Sequence, residues 1–125
     1  MTSDERLQAQ AIMAGFFKAL GHPTRLRILC LLRGGEMCVC HLERVVDRRQ
    51  SYVSQQLMAL RVAGLVATRR EGTQVYYRLI DSRIEPILLE AGAPPPEPFS
   101  RIDGCSCPFC TAQPVASPVE MLSAV

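Results

Sequence analysis

Apolar residues fall at helical spacing through most of the first 91 positions, switch to alternation twice near the middle, and then give way to prolines. From Asp4 to Leu20 the chain holds good helix formers and no proline, with Ser3 placed to cap the start. Within it Leu7, Ala11, Ala14 and Ala19 stand among Ile12, Met13, Phe16, Phe17 and Leu20, so apolar side chains cover more than one face. Such a surplus predicts one face on the core and another on a partner such as a second protomer, the alternative being burial within a single chain. Gly21-His22-Pro23-Thr24 breaks this helix, with His22 as a surface or capping residue, and the nearly all-apolar run Thr24 to Arg33 predicts a buried central helix that takes in Cys30. After Gly34-Gly35 the pattern predicts an extended Glu36–Cys38, a short helix over Val39–Val46, a turn at Asp47-Arg48-Arg49 and a longer helix over Gln50–Ala63. Val53, Leu57 and Leu60 face inward on that second helix. The runs Leu65–Arg70 and Gln74–Leu79 read as a hairpin turning at Gly72. Asp81 or Ser82 can cap a last helix carrying Ile84, Ile87, Leu88 and Leu89, Ser82 with Glu85 fits a capping box, and Pro86 falls near its first turn. Seven of the nine prolines lie after residue 91, which divides the chain into a domain over 1–91 and a Pro-rich, Cys-containing, largely irregular tail over 92–125. The expected fold is mainly α with a small β-hairpin wing, a winged helix-turn-helix.

Composition adds little until its distribution is considered. The net charge is only +2, but 13 of the 14 basic residues are arginine, and from Arg44 to Arg78 seven arginines face only Asp47 and Glu71. A local basic surface suits phosphate oxygens, although a merely solvated charged face has the same composition. In a helix-turn-helix, Gln50, Ser51, Tyr52, Ser54 and Gln55 would face the major groove, while Arg48, Arg49, Arg69 and Arg70 would hold phosphates. The acidic start Met1-Thr2-Ser3-Asp4-Glu5 is no export signal, and no apolar run approaches the roughly 20 residues of a membrane span, so a cytoplasmic protein without membrane attachment is expected.

Six cysteines in such a chain favour metal or redox chemistry over a disulfide framework. Cys38 and Cys40 stand two apart, a spacing that points to opposite sides of a helix and to one side of extended chain. One ion can gather both sulfurs only if this segment departs from regular helix, directly before the presumed reader. Three readings compete: inert thiols, a soft-ion site, and a redox pair closing with each other or with Cys30. Further thiols stand in the tail at Cys105, Cys107 and Cys110. The intervening Pro-rich segment, at about 3.1 Å per residue, reaches far enough to join them to Cys38 and Cys40 or lets them form their own site. His41 is a further donor for zinc or cadmium, with a solvent-facing helix position as its simpler role. Cys107-Pro108-Phe109-Cys110 matches a C-x-x-C redox motif but lacks the strand-then-helix setting an oxidoreductase needs, so an enzyme is not expected.

Residues 17–81 resemble the ArsR/SmtB metalloregulators, and specifically their arsenic-responsive branch. The likeness rests on Ala19-Leu20-Gly21-His22-Pro23-Thr24-Arg25-Leu26-Arg27-Ile28-Leu29, Met37-Cys38-Val39-Cys40-His41-Leu42, Gln50-Ser51-Tyr52-Val53-Ser54-Gln55-Gln56-Leu57, Leu60-Arg61-Val62-Ala63-Gly64-Leu65-Val66 and the wing Arg69–Leu79. The resemblance implies a homodimer through the first and last helices and release of operator DNA on inducer binding. Two-fold symmetry then predicts an inverted-repeat operator. The family's Cys-Val-Cys motif continues to a third cysteine where this chain has Glu43, and the last helix carries no histidine for the family's other zinc site. The expected inducer is As(III) or Sb(III) held by a set drawn from Cys38, Cys40, Cys105, Cys107 and Cys110. Cd(II), Pb(II) or Zn(II), or a thiol-redox signal, are the alternatives.

Overall fold

The computed structural model describes residues 1–95, 105 and 110. Its elements run α1 (Ser3–Leu20), α2 (Pro23–Leu32), β1 (Met37–Cys38), α3 (Val39–Val46), α4 (Gln50–Val62), β2 (Val66–Glu71), β3 (Gln74–Leu79) and α5 (Ile84–Glu90). The α1 start differs from expectation by one residue. Thr2, rather than Ser3, is the N-cap, and it forms a reciprocal capping box with Glu5. His22 caps α2 as an imidazole acceptor, its Nδ1 taking the backbone N–H groups of Thr24 and Arg25. Asp47 closes α3 in the left-handed region (φ 55°, ψ 49°), a conformation that Asp tolerates better than most residues. That turn sets α3 and α4 as a helix-turn-helix.

The core forms where α2, α3, α4, the sheet and α5 meet. Ile28, Leu29, Leu42, Val53, Leu57, Leu60, Leu65 and Ile84 are all fully buried there. The sheet has one strand more than the expected hairpin. β2 and β3 pair antiparallel around a two-residue loop, with Gly72 at φ 61° supplying the positive dihedral the turn requires. β1 then adds to the other edge of β3, with Met37 opposite Tyr77 and Cys38 opposite Tyr76. The extended conformation of this segment is as expected, but its pairing is not legible in two residues whose partner lies far along the chain.

The Ser82–Glu85 capping box does not form. The side chain of Asp81 takes the backbone N–H of Arg83, and Glu85 instead receives Arg33 through Nε at 2.8 Å and Nη2 at 3.2 Å. The buried Arg33 side chain needs a carboxylate more than the short α5 needs a cap, and it also donates to the Pro94 carbonyl at 2.9 Å. α1 leaves much of its apolar surface uncovered: Ile12 is 71% exposed and Phe17 50%. No helix among the described residues is long and apolar enough to cross a membrane.

Candidate thiol–imidazole site and nucleic-acid interface

Cys38 closes β1 and opens α3. Pairing with Tyr76 holds its backbone extended (φ −76°, ψ 159°), which turns its side chain inward, and its Sγ accepts the backbone N–H of His41 at 3.4 Å as the helix N-cap. Cys38 is fully buried, whereas Cys40, two positions on in the first turn of α3, is exposed. The change from strand to helix between them sends the two thiols to different sides.

What meets Cys38 comes from the tail. The Sγ of Cys105 lies 3.0 Å from that of Cys38, and the two are not joined in a disulfide. Cys110 brings its Sγ to 3.4 Å from His41 Nδ1, and Cys105 to 4.0 Å from the same nitrogen. His41 is not at the solvent-facing position expected of it: it is 2% exposed, and burial pushes its pKa below the ordinary imidazole value, so it is neutral at pH 7. His41 stands one turn before Val45, which packs against the core, and this spacing is the sequence signal for an inward face. Cys107 lies outside the described residues. Glu43 sits one turn after Cys40, and its Oε1 is buried with no hydrogen-bond partner among the described residues.

Tyr76 shares an apolar cluster with Cys38, Cys105 and Cys110, and the guanidinium of Arg69 stacks on its ring at 4.4 Å from the centroid. Arg69 also pairs with Glu36 and Glu71, each at 2.6 Å. This pairing holds the Glu36 carboxyl below its usual range and raises the Arg69 pKa further. The thiol cluster and the root of the wing are therefore packed against one another through a single tyrosine.

On the reader, Gln50, Ser51, Ser54 and Gln55 lie exposed on α4, with Arg48 and Arg49 exposed in the turn before it. Tyr52 is half-buried, and its hydroxyl shares a hydrogen bond with Thr24 Oγ1 at 3.1 Å and lies 3.4 Å from His22 Nε2. Arg70 is exposed on the wing, unlike the ion-paired Arg69. Arg25, which composition does not single out, joins three elements. It donates to the carbonyls of Ala19 and Lys18 at the end of α1 and to Gln56 Oε1 on α4.

The model for the arsR family of bacterial regulatory proteins matches residues 22–68, from the cap of α2 to β2. The chain is 48% identical over 71 residues to a biofilm growth-associated repressor of Agrobacterium fabrum, covering 57% of this chain and 61% of that one. Over 76 residues it is 43% identical to an HTH-type transcriptional regulator of Methanocaldococcus jannaschii, covering 60% of this chain and 85% of the relative. Among solved structures, a homodimeric winged helix-turn-helix DNA-binding domain from Mycobacterium bovis superposes with a TM-score of 0.65 at 33% identity, over 72% of this chain and 83% of that one. Since the family model spans α2, α3 and α4, and the likeness covers 85% of the Methanocaldococcus relative at 43% identity, this chain belongs to the arsR family of bacterial regulatory proteins.

Proposed function

We propose that the chain is a homodimeric transcriptional repressor that binds an inverted-repeat operator and leaves it when a soft thiophilic ion is captured by Cys38 together with the C-terminal cysteines. The observation that carries this reading is the double role of Cys38, whose sulfur caps the first helix of the reader and also lies 3.0 Å from Cys105. A sulfur drawn toward an ion loses its hold on the His41 N–H. An N-cap is worth about 1 kcal/mol, so the ion-loaded state sets α3 differently from the DNA-competent one. Release then follows from differential binding, the ion preferring one arrangement of α3 and DNA the other.

The donor set fits such an ion. Cys38, Cys105 and Cys110 offer the three thiolates that As(III) and Sb(III) favour, and with His41 they offer four donors for Cd(II), Pb(II) or Zn(II). Gln50, Ser51, Ser54 and Gln55 read base edges, while Arg48, Arg49 and Arg70 hold phosphates. The exposed apolar side chains of α1, with Leu89 of α5, supply the face for a second protomer. The repressor identity of the Agrobacterium relative supports repression as the output.

The test is operator binding by the reduced full-length protein, titrated separately with arsenite, Cd(II), Pb(II) and Zn(II), for wild type, Cys38→Ser and a chain ending before Cys105. Release of wild type by at least one ion, lost in both variants, is expected. A wild-type protein that stays bound under all four ions refutes the reading. The 3.0 Å contact also supports a second reading, in which a thiol oxidant takes two electrons and two protons from Cys38 and Cys105 to form a disulfide. Under that reading oxidant releases the operator, reductant restores binding, and the ions have no effect.

A further inference from the structure

Resting on the proposal that this cluster is the sensing site, we infer that His41 is itself a ligand and Cys40 is not, so that the site is a three-sulfur, one-nitrogen centre of Cys38, His41, Cys105 and Cys110 built for a four-coordinate divalent d10 cation, Zn(II) or Cd(II). Tetrahedral zinc, with bonds of about 2.3 Å to sulfur and 2.0–2.1 Å to nitrogen, sets N···S separations near 3.5 Å and S···S separations near 3.8 Å. The observed distances from His41 Nδ1 to Cys110 and Cys105, 3.4 and 4.0 Å, bracket the first value. The ligand atoms of His41, Cys105 and Cys110 all lie within 4.8 Å of one another. Cys38, whose Sγ lies 3.0 Å from that of Cys105 but outside this group, joins the set by a shift of its side chain toward the other two donors.

The chemistry of the donors narrows the ion. Imidazole suits zinc-like cations, and thiolates suit soft ones; a mixed set around one point serves a four-coordinate d10 ion, whereas a trivalent metalloid satisfied by three thiolates has no use for the nitrogen. All four side chains are buried in the cluster around Tyr76 or beside it, while Cys40 is solvent-exposed on the opposite side of the strand-to-helix junction.

Co(II) loading of the reduced full-length protein, displaced by Zn(II), provides the test. A tetrahedral spectrum is expected in wild type, with thiolate-to-metal charge transfer unchanged in Cys40→Ser and reduced by about a third in Cys38→Ser, in line with three thiolates in the site. His41→Ala should lower Zn(II) affinity by at least ~100-fold, more than loss of an outer-shell partner, while leaving arsenite affinity within a few-fold. Because His41 is buried, His41→Cys serves as the companion variant. It should keep tight Zn(II) binding and raise the charge-transfer intensity by about a third, as a fourth thiolate replaces the nitrogen. Unchanged Zn(II) affinity in His41→Ala, or loss of one thiolate in Cys40→Ser, overturns the inference. Operator release, measured on the same samples, separates the two readings. Zn(II) or Cd(II) that releases the operator equally well from His41→Ala sinks this donor set and leaves the repressor standing. The expected spectra without any ion effect on DNA establish the site and sink the sensor.

Discussion

Arg25 holds the end of α1 and the helix α4 in one hand. Its Nε donates to Ala19 O at 2.7 Å, Nη2 to Lys18 O at 3.0 Å, and Nη1 to Gln56 Oε1 at 3.1 Å. The last carbonyls of a helix have no partner within it, so the two bonds at the end of α1 satisfy orphan acceptors with a cation where the helix dipole favours one. The third bond reaches α4, 31 positions along the chain. Arg25→Met keeps most of the apolar stem and removes all three bonds. Hydrogen bonds to charged groups contribute about 1.5–3 kcal/mol each, less where water competes, so a net loss of about 2–4 kcal/mol is expected. Urea unfolding of the reduced protein, at one fixed protein concentration so that any self-association contributes equally, measures it as a fall in midpoint with little change in slope. Combining Arg25→Met with Gln56→Met isolates the α2–α4 bond as a coupling energy of about 0.5–1.5 kcal/mol. A destabilisation below about 0.5 kcal/mol, with operator affinity unchanged, would show that packing alone orients the two helices.

Three further expectations concern the reader and the wing. Tyr52→Phe loses the hydroxyl bond to Thr24 and should cost about 1 kcal/mol in denaturant unfolding; a neutral result would mean water replaces it fully. Arg70→Ala should weaken operator binding at every sequence and lower the salt slope by about one per protomer, or about two for the proposed dimer, whereas Arg69→Ala, at a side chain already paired with Glu36 and Glu71, should change that slope by less; equal slopes for the two variants would contradict the pairing. The Glu36 carboxyl is held below its free value of 4.5 by Arg69, so its contribution is complete above that pH and is lost as pH falls through the lowered value. Stability of wild type minus Glu36→Gln should therefore narrow as pH drops below about 4.5, and a difference that stays constant between pH 6 and 3 would refute the linkage.

Most of the fold was legible because it rests on local signals. Val53, Leu57 and Leu60 mark the inner face of α4 by spacing alone, and Gly72 fixes the hairpin by its backbone freedom. What stayed hidden is non-local. β1 exists only because Tyr76 and Tyr77 lie beside it, and Glu85 leaves the expected capping box because a buried arginine from α2 competes for it. In the candidate site, the spacing of Cys38 and Cys40 showed that both sulfurs could converge only through a distorted segment, and the length of the proline linker allowed the tail to reach them. Which sulfur turns inward depends on the register of β1 against β3, which no local pattern encodes. The inward position of His41 was present in its spacing to Val45, but the polar identity of its side chain outweighed that signal.

Contact between Cys38 and Cys105 joins positions 67 residues apart. Any fastening there closes the chain into a ring that contains α3, α4, both wing strands and α5, leaving α1, α2, the residues up to Met37 and those after Cys105 outside. A cross-link spanning a loop of that length removes on the order of 4 kcal/mol of conformational freedom from the unfolded chain. A small ion at this junction would therefore act as a clasp on the topology as well as a signal, stiffening the whole reader as a closed loop while it alters the reader's fit to DNA.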